Sequence, residues 1–372
     1  MFAGYLLASE YYIGVMSGTS VDGVDAVLAE FAGRIRSVAA AHQPFPASLR
    51  HALNALQVEG PDELHRAALA TNALMDCCAE AVLAALGRAG IEAGRVAAIG
   101  VHGQTVRHRP DLGYTLQLAN AARLAEATGI TIVADFRSRD VAAGGQGAPL
   151  APAMHAALFA LPDRHRAVIN LGGIANITDL PPHGDVRGFD TGPANTLLDA
   201  WCERHTGAPF DRDGAWAASG HVVPGLLAAL ERDPYFAAAP PKSTGRDRFN
   251  LDWLERHLAV LHAPPRPADV QRTLLALTAN TVCDAIARHC SGATEVLLCG
   301  GGAHNALLRS SLAAALAPRR VTTTAEFGVP VNEVEALAFA WLAREALAGR
   351  AASLPGVTGA RGARVLGAIY RA

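Results

Sequence analysis

None of the six cysteines in this 372-residue chain stands in a C-x2-C pair. Cys77, Cys78, Cys202, Cys283, Cys290 and Cys299 are scattered, so neither a zinc site nor a disulfide framework is expected, and the thiols suit a reducing, cytoplasmic compartment. Excess charge is lacking too. With 32 Lys and Arg against 34 Asp and Glu, the net charge of −2 leaves no general footprint for nucleic acid or an anionic membrane. No apolar run approaches the roughly 20 residues of a membrane span, and the opening MFAGYLLASE has no basic n-region, so no leader is expected. The common nucleotide signatures are also missing: there is no G-x-x-x-x-G-K-[ST], and no G-x-G-x-x-G between a strand and a helix. An anion has to be held in some other way.

The chain is longer than one hydrophobic core usually organises, so two domains with a cleft between them are expected. Apolar runs of strand length alternate with segments of helical spacing. YYIGVMSG and DAVLAEF read as a hairpin, followed by the helical PDELHRAALATNALMDCCAEAVLAALGRAG and the strands RVAAIGVHG, TLQLAN and ITIVADF. A second series starts after GGQGAPLAP. RAVINLGGIANITDL reads as strand, glycine turn, strand; VRGFDTG, a helix from Asn195, a helix over 268–289 and the strand EVLLCGG follow. A hairpin with a glycine-rich polar tip thus occurs twice, at 17–23 and 172–176, and duplicated halves would turn both tips toward one cleft.

The first tip, Ser17-Gly18-Thr19-Ser20-Val21-Asp22-Gly23, is far longer than chain reversal requires. Glycines permit close backbone approach, hydroxyls can donate to phosphate, and Asp22 can hold a magnesium ion, which together suggest a nucleoside triphosphate. Gly172 and Gly173 form the second tip. Gly300, Gly301 and Gly302, between a buried strand and a helix, would let a flat base or a ribose lie against bare backbone. Either tip taken alone could be no more than a turn.

Asp190, in GFDTGPANTLLDAW, stands at a strand end where the chain turns into a helix. It reads either as a helix cap or as a general base. His102, Gln104, Thr105, Arg137, Arg139 and Asp140 gather after strands, a group suited to a polar substrate bearing a carboxylate, which Arg can grip with two hydrogen bonds. Glu335 opens the last long helix, where the dipole alone would favour it.

MSGTSVDGVDAVLAEF, HGQTVRHRP, DFRSRDVAAGGQGAPLAPAMH, NLGGIANIT, FDTGPANTLLDAW, PPKSTGRDRFN, CGGGAHNALL and EALAFAWLA follow one another over essentially the whole chain. In this they resemble the anhydro-N-acetylmuramic acid kinase family, cell-wall recycling enzymes of the hexokinase, actin and Hsp70 ATPase superfamily. The resemblance implies an α/β fold, a two-domain actin-like ATPase with duplicated ribonuclease H-like cores and a nucleotide cleft. It implies a first domain over 1–142 with 355–372 packed back on it, and a second over 143–354 with an inserted loop near 233–250. It further implies ATP and Mg2+ as cofactors, an amino sugar as small-molecule substrate, and a homodimer in the cytoplasm with neither nucleic-acid nor membrane partner.

By resemblance, Asp190 is the general base. Gly18, Thr19, Ser20, Asp22 and Gly23 take the ATP phosphates, with Asp22 organising magnesium and its waters, and Gly172 and Gly173 assist. Gly300 to Gly302 take adenosine, and the sugar falls to His102, Gln104, Thr105, Arg137, Arg139 and Glu335. The chain departs from the family pattern at Ala119-Asn120, Ala134 and Ala194. Two other readings stand beside this one: a superfamily kinase acting on an ordinary sugar hydroxyl, and a sugar sensor without catalysis.

Overall fold

The computed structural model describes residues 10–372 apart from 19–20 and 34. Thr19 and Ser20 therefore lie outside the described residues. The chain forms two compact units, one comprising residues up to Met154 together with Glu333–Ala372, the other His155–Asn332.

The first unit is built on β1 (Tyr11–Met16), β2 (Gly23–Glu30), β3 (Arg36–Pro44), β4 (Val96–Val101), β5 (Gln104–Arg109), β6 (Tyr114–Leu118) and β7 (Ile132–Ala134). β1, β2 and β3 run antiparallel in sequence, whereas β4 pairs parallel to β1 and β7 parallel to β4. The sheet order is β7-β4-β1-β2-β3, closed at the β7 edge by the C-terminal strand Ala368–Tyr370, with β5 and β6 as a separate hairpin.

The second unit holds β8 (Arg166–Leu171), β9 (Ile174–Leu180), β10 (Arg187–Pro193), β11 (Glu295–Cys299) and β12 (Arg320–Thr323). Its order is β10-β9-β8-β11-β12, with β8, β9 and β10 antiparallel and β11 and β12 parallel to β8. Strand for strand this repeats the order and directions of the first sheet, which is the duplicated ribonuclease H-like pattern. Each glycine tip joins the first two strands of its sheet.

Helix Glu63–Ala89 covers one face of the first sheet against β2 and β3, with Leu74, Met75 and Val82 fully buried. It is also the one helix, among the described residues, long and apolar enough to cross a membrane by length and composition. Its apolar stripe is instead spent on the core, as in many soluble α/β units.

The helix Val334–Leu347 covers the other face, on β1, β2 and β4. The second domain expected over 143–354 would include this helix; the structure places it in the first unit, with the boundaries at 154/155 and 332/333. Two glycines supply the physical reason. Gly14 and Gly100 face each other across β1 and β4, and a Cβ on them would lie 1.7 Å from Ala336 O and 2.0 Å from Phe339 O. The helix backbone rests directly on the sheet there, an approach open only to residues without side chains.

Candidate active site

Asp190 lies inside β10, not at its end. The pairing slips by one residue at this point: Asp190 faces Asn176 and Gly192 faces Ala175, so Thr191 is left over as a bulge. Bulges re-aim side chains and recur beside functional sites. The next helix, Asn195–Thr206, starts later, and its N-cap is Ala194, which has no side chain to cap with. Its first N–H groups are satisfied by the second glycine tip. Asn195 donates to Gly172 O at 3.0 Å, while Ala194 and Thr196 donate to Gly173 O at 2.9 and 3.1 Å. The cap reading of Asp190 is thereby removed, and the carbonyls of Gly172 and Gly173 are committed to the helix.

The loop after Tyr235 encloses Asp190. The Asp190 N–H donates to Lys242 O at 3.1 Å, and the Tyr235 hydroxyl donates to Asp190 O at 2.9 Å. The Thr244 N–H donates to the carboxylate at Oδ2, 3.0 Å away. Burial pushes the carboxyl pKa up from 3.8 to about 6, against the opposing pull of the Thr244 N–H and the Lys242 charge. A carboxyl with a pKa near 6 is mostly ionised at neutral pH yet more basic than an ordinary aspartate, which suits a proton acceptor. Thr244, Lys242 and Tyr235 do not stand out as individual residues in the sequence, because two of them act through backbone groups.

In the first unit, His102, Gln104, Arg137 and Glu335 come together. Arg137 donates through Nε and Nη2 to His102 Nε2 at 3.1 and 3.0 Å, and through Nη1 to Gly147 O at 2.8 Å. Burial drives the His102 pKa down to about 3, with the Arg137 charge adding to the effect, so the ring is neutral and carries its proton on Nδ1. Burial also pulls Arg137 down to about 10, opposed by Glu335 and Asp140, which leaves it charged at neutral pH. His102 occupies the Nε edge of the guanidinium. The outer Nη edge keeps one N–H on each nitrogen, enough for a carboxylate.

Gln104 accepts from Ser17 Oγ at 2.5 Å, tying the sugar-side residues to the first tip. Thr105 points elsewhere, accepting from Gln117 at 3.1 Å. Arg139 is exposed, and no hydrogen bond joins it to this group among the described residues. Asp140 is fully buried and structural: it accepts from Gly147 N and from Thr358 Oγ1, both at 2.8 Å, and so fixes the loop whose carbonyl Arg137 binds.

At the first tip, Val21 holds φ at 54°, a left-handed conformation costly for a β-branched residue and most often found where function demands it. Asp22 is exposed, and its carbonyl accepts from Phe45 N at 2.9 Å. Gly23 is needed for packing, since a Cβ would meet the His42 ring at 2.5 Å. No group of three or more His, Cys, Asp or Glu gathers around a metal position among the described residues. One exposed carboxylate suits an ion such as Mg2+, which keeps most of its waters and is shared with phosphates.

In the second unit, Gly301 and Gly302 line a cavity of about 610 Å³, together with Asn195, Asp199, Phe210 and Asn305. That is ample for a nucleoside. Gly300 is not part of the lining. It takes φ 79°, donates to Val331 O at 2.8 Å, and a Cβ there would meet Asn170 Oδ1 at 2.3 Å, so this glycine serves the turn.

The sequence model of the family described as anhydro-N-acetylmuramic acid kinase matches residues 10–372. A Thiobacillus denitrificans protein of that name is 56% identical over 366 residues, covering 98% of both chains. A Bordetella parapertussis protein of the same name is 60% identical over 364 residues, covering 97% of this chain and 96% of its own. A Nitrosomonas europaea relative, again so named, is 51% identical over 365 residues, covering 97% of this chain and 100% of its own.

Proposed function

The chain belongs to the anhydro-N-acetylmuramic acid kinase family, and on that basis we propose how its residues divide the reaction of an ATP-dependent amino-sugar kinase in cell-wall recycling. In 1,6-anhydro-N-acetylmuramic acid, O6 is bonded to C1 and carries no proton to surrender. A plain phosphoryl transfer to a hydroxyl is therefore unavailable. A water oxygen bonds to C1 as the C1–O6 bond breaks, and the released O6 bonds to the γ-phosphorus of ATP as the bridge to the β-phosphate breaks. The water proton passes to Asp190, and the products are N-acetylmuramate 6-phosphate and ADP. The step joins an inverting glycosidase's carboxylate-activated water to phosphoryl transfer, where positioning and charge neutralisation dominate.

The observation that carries this reading is the state of Asp190: set beside the Thr191 bulge in β10, relieved of any capping duty, held by the Thr244 N–H and with its pKa raised to about 6. The outer edge of Arg137 is suited to the lactyl carboxylate of the sugar, with neutral His102 and Gln104 beside it as hydroxyl partners. Asp22, with Gly18, Thr19, Ser20 and Gly23, is assigned to the phosphates. When bound there, Mg2+ would neutralise phosphate charge. The cysteine usage suits a cytoplasmic location, and a homodimer completes the proposal.

ADP release measured with the anhydro sugar, with plain N-acetylmuramic acid and with no sugar tests the reading. Turnover is expected with the anhydro sugar alone. Equal turnover of plain N-acetylmuramic acid would make the protein an ordinary hydroxyl kinase, and none with either sugar would leave it a sensor.

A further inference from the structure

The cavity beside Gly301 and Gly302 contains one carboxylate with unmet hydrogen-bonding capacity. Most of its polar neighbours are committed within the protein. Asn195 Nδ2 donates to Leu171 O at 3.0 Å, Asn305 Oδ1 accepts from Leu308 N at 3.0 Å, and Asp211 accepts from Trp216 N and Ala217 N at 2.8 and 2.9 Å. Asp213 is exposed at the rim and keeps its water. Asp199 differs. It is only partly exposed, lines the cavity, and has no hydrogen bond or ion pair among the described residues. Burial raises its pKa to about 7 even though Arg246 opposes the shift, the mark of a carboxylate deprived of donors. A shielded anion without donors is costly, and a ligand that brings hydroxyl protons removes that cost.

Its place along the helix narrows the choice of donor. Asn195 sits on the second glycine tip, donating to Gly172 O. Asp199 follows one helical turn later, about 6 Å along the axis. Phe210, an exposed aromatic ring with Arg212 stacked over it at 5.4 Å, stands further on in the same cavity. A nucleotide with its phosphates at the tip and its base against Phe210 brings its ribose past Asp199.

We propose that Asp199 is the ribose-recognition residue, its two carboxylate oxygens accepting hydrogen bonds from the vicinal 2′- and 3′-hydroxyls, and that this selects ribonucleotides over 2′-deoxyribonucleotides. The proposal rests on the reading of this cavity as the nucleoside site. Asp199 touches no reacting atom and determines specificity, with no part in the chemistry.

Calorimetric titration of the full-length protein with ADP, 2′-deoxy-ADP and 3′-deoxy-ADP tests it. The wild type should bind each deoxy form about tenfold more weakly, as loss of a hydrogen bond to a charged acceptor implies. In Asp199→Ala, which loses both hydrogen bonds, ADP should weaken by about a hundredfold, below the wild type's deoxy values, and the ratio of ADP to each deoxy form should fall to near one, as expected for two groups that act on each other. Asp199→Asn, of the same size, should keep one hydrogen bond and an intermediate ratio, which guards against a merely misfolded Ala variant.

A wild type indifferent to the hydroxyls, or a ratio that survives in both variants, overturns the assignment. Gly301→Leu separates failure of the assignment from failure of the underlying reading. A Cβ at Gly301 meets nothing closer than Asn195 Nδ2 at 3.8 Å, so the backbone tolerates it while the larger side chain fills the cavity. If Gly301→Leu loses ADP but the ratio ignores Asp199, only the ribose assignment fails. If Gly301→Leu binds ADP like the wild type, the nucleoside lies elsewhere and both fail.

Discussion

Thr244 donates its backbone N–H to Asp190 Oδ2 at 3.0 Å across 54 residues of chain. The bond holds the carboxylate in one orientation and stabilises its charged form, while burial works against that charge. Asn at this position could accept the same hydrogen bond but could not take a proton. Asp190→Asn is therefore expected to lower kcat by about 10² to 10⁴, with ADP affinity unchanged. A variant with near wild-type kcat would remove Asp190 from the chemistry.

The pH dependence follows from the same carboxyl. With its pKa at about 6, kcat/KM should fall about tenfold per pH unit below that value as the base is protonated. Lys242 lowers this pKa, so Lys242→Met should move the acidic limb to higher pH. An unmoved limb in that variant would show that another group is being titrated.

The same raised pKa affects stability with a definite sign. The folded value of about 6 lies above the 3.8 of an unperturbed aspartate, so ionised Asp190 destabilises the folded state. The cost is absent below about pH 4, grows between about 4 and 6, and is complete above, where it reaches about 3 kcal/mol at most. Asp190→Asn should thus unfold at higher denaturant than the wild type at pH 8 and at the same denaturant at pH 4. Equal midpoints at pH 8 would contradict the raised pKa.

Gly14 and Gly100 make a prediction about the fold. An alanine at Gly14 would place its Cβ 1.7 Å from Ala336 O, forcing the helix Val334–Leu347 off the sheet. Gly14→Ala and Gly100→Ala should each cost at least about 2 kcal/mol in urea unfolding, whereas Gly87→Ala, with nothing within 4 Å, should not destabilise.

Much of this is legible in the sequence because strand runs and glycine tips are local signals. The duplicated hairpins and the helix 268–289 (here Pro267–His289) both follow from short stretches. The home of the Val334–Leu347 helix is not legible. It is apolar on most sides, so its pattern names no partner sheet, and the decisive glycines lie more than 200 residues earlier in the chain. Thr244 is hidden for another reason: a backbone N–H has no side-chain signature, and its segment reads as an inserted Pro- and Gly-rich loop. Asp199 has a weak signal, standing four residues after Asn195 on the same helix face, but a lone helical aspartate usually faces solvent.

Arg137 offers a test of substrate choice. Its outer guanidinium edge suits a carboxylate, and 1,6-anhydro-N-acetylglucosamine has none. Arg137→Ala should raise KM for the anhydromuramic sugar about tenfold or more, the scale of a charge-assisted hydrogen bond, and should narrow the preference over the sugar without the lactyl group. An unchanged preference would assign the lactyl group to another residue, with Arg139 the next candidate.

The reaction can be read most directly by turnover in water labelled with oxygen-18. If water attached to C1 releases O6 for phosphorylation, the label appears on C1 of N-acetylmuramate 6-phosphate, with inversion at that carbon, and none appears on the transferred phosphoryl group. Label in the phosphate would mean that water had attacked ATP itself, and would contradict the assignment of Asp190 as the base that activates water at the sugar.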